Sequence, residues 1–396
     1  MTADAIGTAR RWSILGLALT ATMCANVFIN GVAFLIPTLH SDRGLDLARA
    51  GLLSSLPSFG MVATLIAWGY LVDRLGERLV LVTGSALTAL AAFGAATATA
   101  LTTTGAFLLL GGMAAASSNT ASGRLVVGWF PAHQRGLAMG IRQTAQPLGV
   151  GLGALVIPRL AEHHGIGAAL LFPAAVCAAA ALACAVGVSD PPRPPRAEAP
   201  VKQLTNPYRG SAVLWRIHAM SVLLVVPQVM VWTFMLVWLM AERGWTAGAA
   251  GALVTVSQLL GAAGRIGAGR WSDRVGSRLR PIRTIAVAAA LAMLALGSTA
   301  WAGSPLSVAL IVVASVITVS DNGLAFTAIA EIAGPFWSGR ALGTQNTSQL
   351  FAAGVAPPLF GTLIGLAGYP LAFAVCALFP LAALPVIPAE PPRTSG

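Results

Sequence analysis

Apolar residues in this chain run together in long stretches, and polar positions gather in the short gaps between them. Twelve such stretches can be drawn, at 13–39, 48–71, 79–101, 104–127, 138–159 and 166–188, then at 213–240, 247–270, 283–303, 305–329, 341–366 and 368–388. About twenty apolar residues in a helix cross the hydrocarbon core of a bilayer, so each stretch predicts a spanning helix. The run after Arg10 and Arg11 imitates a secretion signal, but it continues to Leu39, beyond the apolar length of such signals. It is therefore read as the first span. The segment Asp190-Pro-Pro-Arg-Pro-Pro-Arg196, followed by Lys202 and Arg209, cannot begin as a helix and predicts a solvated linker. The expected plan is a cytoplasmic N-terminus at 1–12, a six-helix bundle at 13–189, a cytoplasmic linker at 190–212, a second bundle at 213–388 and a cytoplasmic tail at 389–396.

Composition agrees with lipid as the solvent. The 396 residues are 56% hydrophobic and only 9% charged, against about a quarter charged in soluble domains. The 43 glycines suit a membrane bundle, where small residues let helices approach. A net charge of +11 raises the question of nucleic acid, but the basic residues sit in short loops and form no basic face. With the N-terminus inside, about 17 of the 24 Lys and Arg fall in cytoplasmic segments, and Arg43, Arg49, Arg159 and Arg243 fall outside. That bias predicts a multi-pass cell-membrane protein with both termini cytoplasmic. Cys24, Cys177, Cys184 and Cys376 all lie in apolar runs and show no metal-ligand spacing. No metal and no cofactor is expected.

An internal repeat organises the chain. Asp42-Arg43-Gly44 recurs as Glu242-Arg243-Gly244, and Gly51 as Gly251, each 200 residues on. At the same shift, Gly69-Tyr-Leu-Val-Asp73-Arg74-Leu-Gly76-Glu-Arg78 recurs as Gly269-Arg-Trp-Ser-Asp273-Arg274-Val-Gly276-Ser-Arg278. Later the shift is 203, pairing Asn119 with Asn322, Ala138 with Ala341, Gly140 with Gly343, Thr144 with Thr347 and Gln146 with Gln349. Two copies of one six-helix unit account for this.

The segment 69–78 resembles the signature loop between the second and third helices of the major facilitator superfamily, and 269–278 stands where that family has its second version. The resemblance covers the whole chain and implies an all-α integral membrane fold of twelve helices in two pseudo-symmetric bundles. It implies a secondary transporter working by alternating access, not an enzyme. In the family, this loop holds the cytoplasmic side shut while the outside is open, so Gly69, Asp73, Arg74, Gly76, Arg78, Gly269, Asp273, Arg274, Gly276 and Arg278 are expected to form a conformational gate. The expected partners are Arg340 for Asp73 and Arg135 for Asp273. The same charges would also serve simply to fix topology.

Charges within spans are costly and tend to mark a pathway. Arg124, Arg142 and Arg265 are candidates to bind a substrate carboxylate in bidentate fashion, although each could instead snorkel to the interface. Asp321 is the one carboxylate placed inside a span, and so the candidate for proton coupling; structural pairing with an Arg is the alternative. Asn119 and Asn322, and Gln146 and Gln349, are candidates to line the binding site or to bond neighbouring helices. Trp232 and Trp238 read as packing or interface anchors. His163 and His164, beside Glu162, read as a solvated loop.

The drug-antiporter branch of the family carries an Arg early in the fourth helix, where Leu108 stands, and a Pro in the fifth-helix motif that Gly149-Val-Gly-Leu-Gly153-Ala154 lacks. That same run matches a nucleotide-binding fingerprint, but it lies within a span with no preceding strand and is discarded. The leading expectation is proton-coupled symport of a small organic anion by a monomer. Efflux of hydrophobic or cationic compounds is the alternative, and a non-transporting sensor or a membrane-embedded enzyme would be a different class. The partners expected are the bilayer, an anionic small molecule and protons, with no nucleic acid.

Overall fold

The computed structural model describes residues 6–36, 38–39, 47–193 and 197–389, and among these it is helical throughout, with no strand. The helices are α1 (Thr8–Gly31, continued by a 3-10 turn at Val32–Leu35), α2 (Leu47–Leu75), α3 (Glu77–Thr97), α4 (Leu101–Trp129), α5 (Ala132–Arg142) and α6 (Ala145–Gly187). After two short turns at Val201–Leu204 and Pro207–Gly210 come α7 (Val213–Ala241), α8 (Ala247–Val275), α9 (Leu279–Trp301), α10 (Leu306–Ile317), α11 (Asn322–Ala333), α12 (Ser338–Cys376) and α13 (Leu378–Val386). Asp42-Arg43-Gly44, Pro194–Arg196 and the tail from 390 lie outside the described residues.

Ten continuous apolar helical segments are long enough to cross a membrane among the described residues. Two of them, Ala132–Gly187 with 56 residues and Ser338–Val386 with 49, are far longer than one crossing requires. Each is interrupted by a glycine with positive φ, Gly165 (φ 82, ψ 172) and Gly368 (φ 77, ψ 167). This backbone region is open essentially to glycine alone. Divided at these glycines, the ten segments are consistent with the twelve expected spans. The two glycines are 203 residues apart, the later shift of the repeat.

Two compact units emerge. The first comprises Met1–Pro131, Arg142–Thr205 and Ala333–Thr347; the second comprises Ala132–Ile141, Asn206–Ile332 and Ser348–Gly396. Within the first, α1 packs along α6, and α4 lies between α2 and α3. Within the second, α7 packs on α13, and α9 on α10 and α13. Its core includes Trp238 edge-on to Phe373 with centroids 5.7 Å apart. Side chains such as Leu182 (71% exposed) and Leu366 (82%) point outward. In water such apolar relief would drive association; in a bilayer it is the matching surface.

Two expectations about the spans change. The stretch 305–329 is not one helix: it breaks at 318–321, where Thr-Val-Ser-Asp precedes Asn322 and Gly323 and local side-chain bonds compete with the helix. The fifth span begins earlier than 138 and turns at Gln143 and Thr144, beside Arg142. Arg142 and Asp321 thus both sit at helix breaks.

Candidate functional site

The two copies of the motif close the ends of α2 and α8. In the first unit, Asp73 accepts the backbone N–H of Gly339 at 2.8 Å and of Arg340 at 3.1 Å, and the Arg340 Nε–H at 2.9 Å. Arg340, the expected partner, thus stands beside Asp73. In the second unit, Asp273 accepts the N–H of Gly136 at 2.9 Å and of Leu137 at 2.8 Å. Asp73 thereby caps the first turn of α12, where free amides favour an anion, whereas Asp273 meets α5 at its fifth and sixth residues. The close fit needs glycine on both sides: a Cβ on Gly69 would strike the Gly339 carbonyl oxygen, and one on Gly269 would strike that of Gly136. These contacts obey the repeat, since 69 and 73 map to 269 and 273 while 136 and 137 map to 339 and 340.

The charged partners do not obey it. Asp273 pairs with Arg278 at 2.6 Å, and Arg135 pairs with Glu331 at 3.3 Å, where Arg135 was expected to serve Asp273. Arg278 also reaches Glu331 at 3.2 Å and donates to Ser272 Oγ at 2.7 Å. Burial works against its charge, but Glu331 and Asp273 together hold the guanidinium above its ordinary pKa. Arg78 goes elsewhere, to the Ala185 carbonyl, while its N–H bonds Asp190 Oδ1 at 2.7 Å. Arg74 stacks on Tyr70, Arg274 is exposed, and Gly76 (φ 97) and Gly276 (φ 63) supply the turns.

Arg124 was expected to face a substrate; the structure places it in the first motif cluster. It bonds Glu77, the Pro335 carbonyl and, at 2.9 Å, Ser338 Oγ, and it lies 3.7 Å from Asp73. Glu77 has no exposed surface and takes a second cation, Arg193, at 2.8 Å. Arg193 also donates to the Asp73 carbonyl oxygen at 3.1 Å, so this part of the expected solvated linker is docked on the motif. Glu77, Glu331 and Arg193 escaped the sequence reading, although Glu77 stands inside the motif itself.

Deeper in the spans, Arg142 is buried and oriented by neutral acceptors: Ser122 Oγ at 2.9 Å, the Asn119 carbonyl at 2.7 Å and Oδ1 at 3.3 Å, and Gln143 Oε1 at 2.6 Å. Thr22 joins from α1, donating to Ser122 Oγ at 3.1 Å. In the second unit, Asn322 donates to Gln228 at 2.9 Å and accepts from Gln349 at 3.2 Å. Gln146, the repeat mate of Gln349, is exposed and its side chain makes no hydrogen bond among the described residues, so that pair is matched in sequence only. Buried Asp321 lies within electrostatic reach of Arg265, whose guanidinium sits 5.7 Å from the Trp232 ring centroid. Here too the repeat is broken at charges: Arg142, Arg265 and Asp321 have Gln345, Leu65 and Ser118 as their mates.

A duplicated helical fold with apolar exterior, twin motif clamps and buried charges at helix breaks defines a multi-pass membrane protein of transporter type. The family model of the Major Facilitator Superfamily matches residues 16–357 and, in a second match, 228–396. A protein of Mycobacterium tuberculosis described as an uncharacterized MFS-type transporter is 58% identical over 388 residues, covering 98% of this chain and 87% of its own. A gallate transporter of Pseudomonas putida is 29% identical over 425 residues, covering 96% and 90%. Among solved structures, the human organic anion transporter TETRAN superposes with a TM-score of 0.75 at 18% identity, covering 96% of this chain and 99% of that one. The chain belongs to the Major Facilitator Superfamily, a family of transporters and not of enzymes.

Proposed function

We propose that this transporter carries a small organic anion, drawn by Arg142, and that Asp321 couples its movement to protons. The observation that supports this most directly is the setting of Arg142. A guanidinium fixed at a helix break by neutral Ser, Asn and Gln oxygens is oriented without those contacts cancelling its charge. That is a positive charge held in place, to which a carboxylate can add a charge-assisted hydrogen bond. Its repeat mate Gln345 could not supply the charge. The names of two similar proteins, a gallate transporter and an organic anion transporter, lend the same reading weight.

Asp321 occupies the equivalent kind of position in the other unit, at a break, near the fixed charge of Arg265. A carboxylate there exchanges a proton when its access to water changes. The bundles 13–189 and 213–388 would act as the two moving bodies of an alternating-access cycle. Both termini would face the cytoplasm of a cell-membrane monomer, and the clamps at Asp73 and Asp273 would make and break on that side.

The test is uptake of labelled gallate into proteoliposomes under an imposed pH gradient, with a neutral sugar as control. The wild type takes up the acid and not the sugar. Arg142→Gln abolishes uptake, while Asp321→Asn keeps acid exchange but loses its response to the gradient. Uptake of the sugar alone across a panel of organic acids, or wild-type rates in Arg142→Gln, would end the anion reading.

A further inference from the structure

A second cavity lies away from the buried charges. A cavity of about 460 Å³ is lined by Leu279, Arg280, Arg283, Thr284, Pro388 and Ala389, all within the second unit. Two cations and a hydroxyl line it, and none of its described lining residues is a carboxylate. One wall is the first turn of α9. The other is Pro388 and Ala389, just after α13, whose end Arg216 holds by donating to the carbonyls of Val386 at 2.9 Å, Pro385 at 3.0 Å and Ile387 at 3.2 Å. The wall is thus built into the unit by three hydrogen bonds.

What extends from the cavity identifies its occupant. Arg280, Thr284, Val287, Leu291 and Leu294 recur at the helical period and fall on one face of α9. All five are exposed, and the last three are aliphatic. From Thr284 to Leu294 the helix rises roughly 15 Å, half of a hydrocarbon core of about 30 Å. An amphiphile with an anionic head and acyl chains one leaflet long fits this order of groups. A free anion would use the arginines and leave the aliphatic stripe idle.

We infer that the cavity formed by Arg280, Arg283 and Thr284 holds the phosphate of an anionic phospholipid, whose chains lie along Val287, Leu291 and Leu294. The guanidinium groups supply charge-assisted hydrogen bonds to the phosphate oxygens, as basic pockets between spanning helices do for lipid head groups. The site is independent of substrate chemistry and needs only that the chain be embedded in a bilayer.

The test uses the full chain, purified and stripped of lipid, titrated with phosphatidylglycerol, phosphatidylcholine or inorganic phosphate, with bound lipid counted by native mass spectrometry. One phosphatidylglycerol is retained per chain, and phosphatidylcholine is not selected. A basic residue near the surface contributes about fivefold, so Arg280→Gln with Arg283→Gln binds about thirtyfold more weakly. The charge-matched pair Arg10→Gln with Arg209→Gln, both exposed and outside the cavity, binds as wild type. The double Lys variant retains binding and keeps the test decisive if the Gln variant misfolds. Unchanged binding in the Gln variant, equal retention of the two lipids, or competition by inorganic phosphate at concentrations matching the lipid would overturn the proposal. The last outcome would identify a free-anion site instead.

Discussion

Glu77 has no exposed surface and is held between Arg124 and Arg193, so its charge is one part of a shared balance. Neutralising it leaves Arg124, itself buried, with carbonyl and hydroxyl oxygens and the more distant carboxylates of Asp73 and Asp190. Removing one partner of a buried pair costs about 3–5 kcal/mol. Glu77→Gln is therefore expected to lower the thermal midpoint of the purified protein sharply. Glu331→Gln touches Arg135 and Arg278 from a side chain about a quarter exposed and should cost less, about 1 kcal/mol. Equal shifts in the two variants would show that burial does not set the strength of these clusters. At this scale the sequence was half legible. Asp73 with Arg340, and the polarity of Asn119 and Asn322, followed from the repeat and the resemblance. Arg124 did not, because a charge in an apolar run looks the same whether it faces a substrate or a carboxylate from another helix.

The helices owe their ends to glycines and small polar clusters rather than to charge. Gly165 adopts a φ of 82 and ψ of 172 with nothing near its absent side chain, so replacing it adds backbone strain and no clash. Gly165→Ala should cost about 1–3 kcal/mol, read as a lower thermal midpoint. Gly151→Ala, in the regular part of the same helix and equally open, should stay within about 1 kcal/mol of wild type. A matching loss in both would mean that the turn at Gly165 is not what separates the two spans. The sequence placed a boundary between 159 and 166 because polar residues gather there. It missed the breaks at Gln143 and at Asp321, since both fall inside apolar runs and the interruptions are only two and four residues long.

For the molecule as a whole, the distribution of Arg and Lys argues a single orientation in the bilayer. Thr205, before α7, and Ala302, after α9, are exposed and separated by three spans. A membrane-impermeant thiol reagent should therefore label Ala302→Cys in intact cells and Thr205→Cys only after permeabilisation. The native Cys24, Cys177, Cys184 and Cys376 are buried and should stay silent in both. Labelling of both sites from outside would sink the proposed topology.

Membrane embedding, the number of spans, the duplication and the motif loops could all be read from the chain, because each rests on local hydrophobicity or on residue spacing. Lipid imposes one rule on every span: the backbone must satisfy its own hydrogen bonds. That rule leaves a periodic trace along the sequence. Which charge meets which could only be decided by packing. Arg124 at Glu77 and Arg142 among Ser122 and Asn119 are choices made over a few ångströms between neighbouring helices, and Asp273 takes Arg278 from five residues further along the chain. At that range the direction of a side chain outweighs its position in a repeat, and the two halves diverge where chemistry, not folding, is at stake.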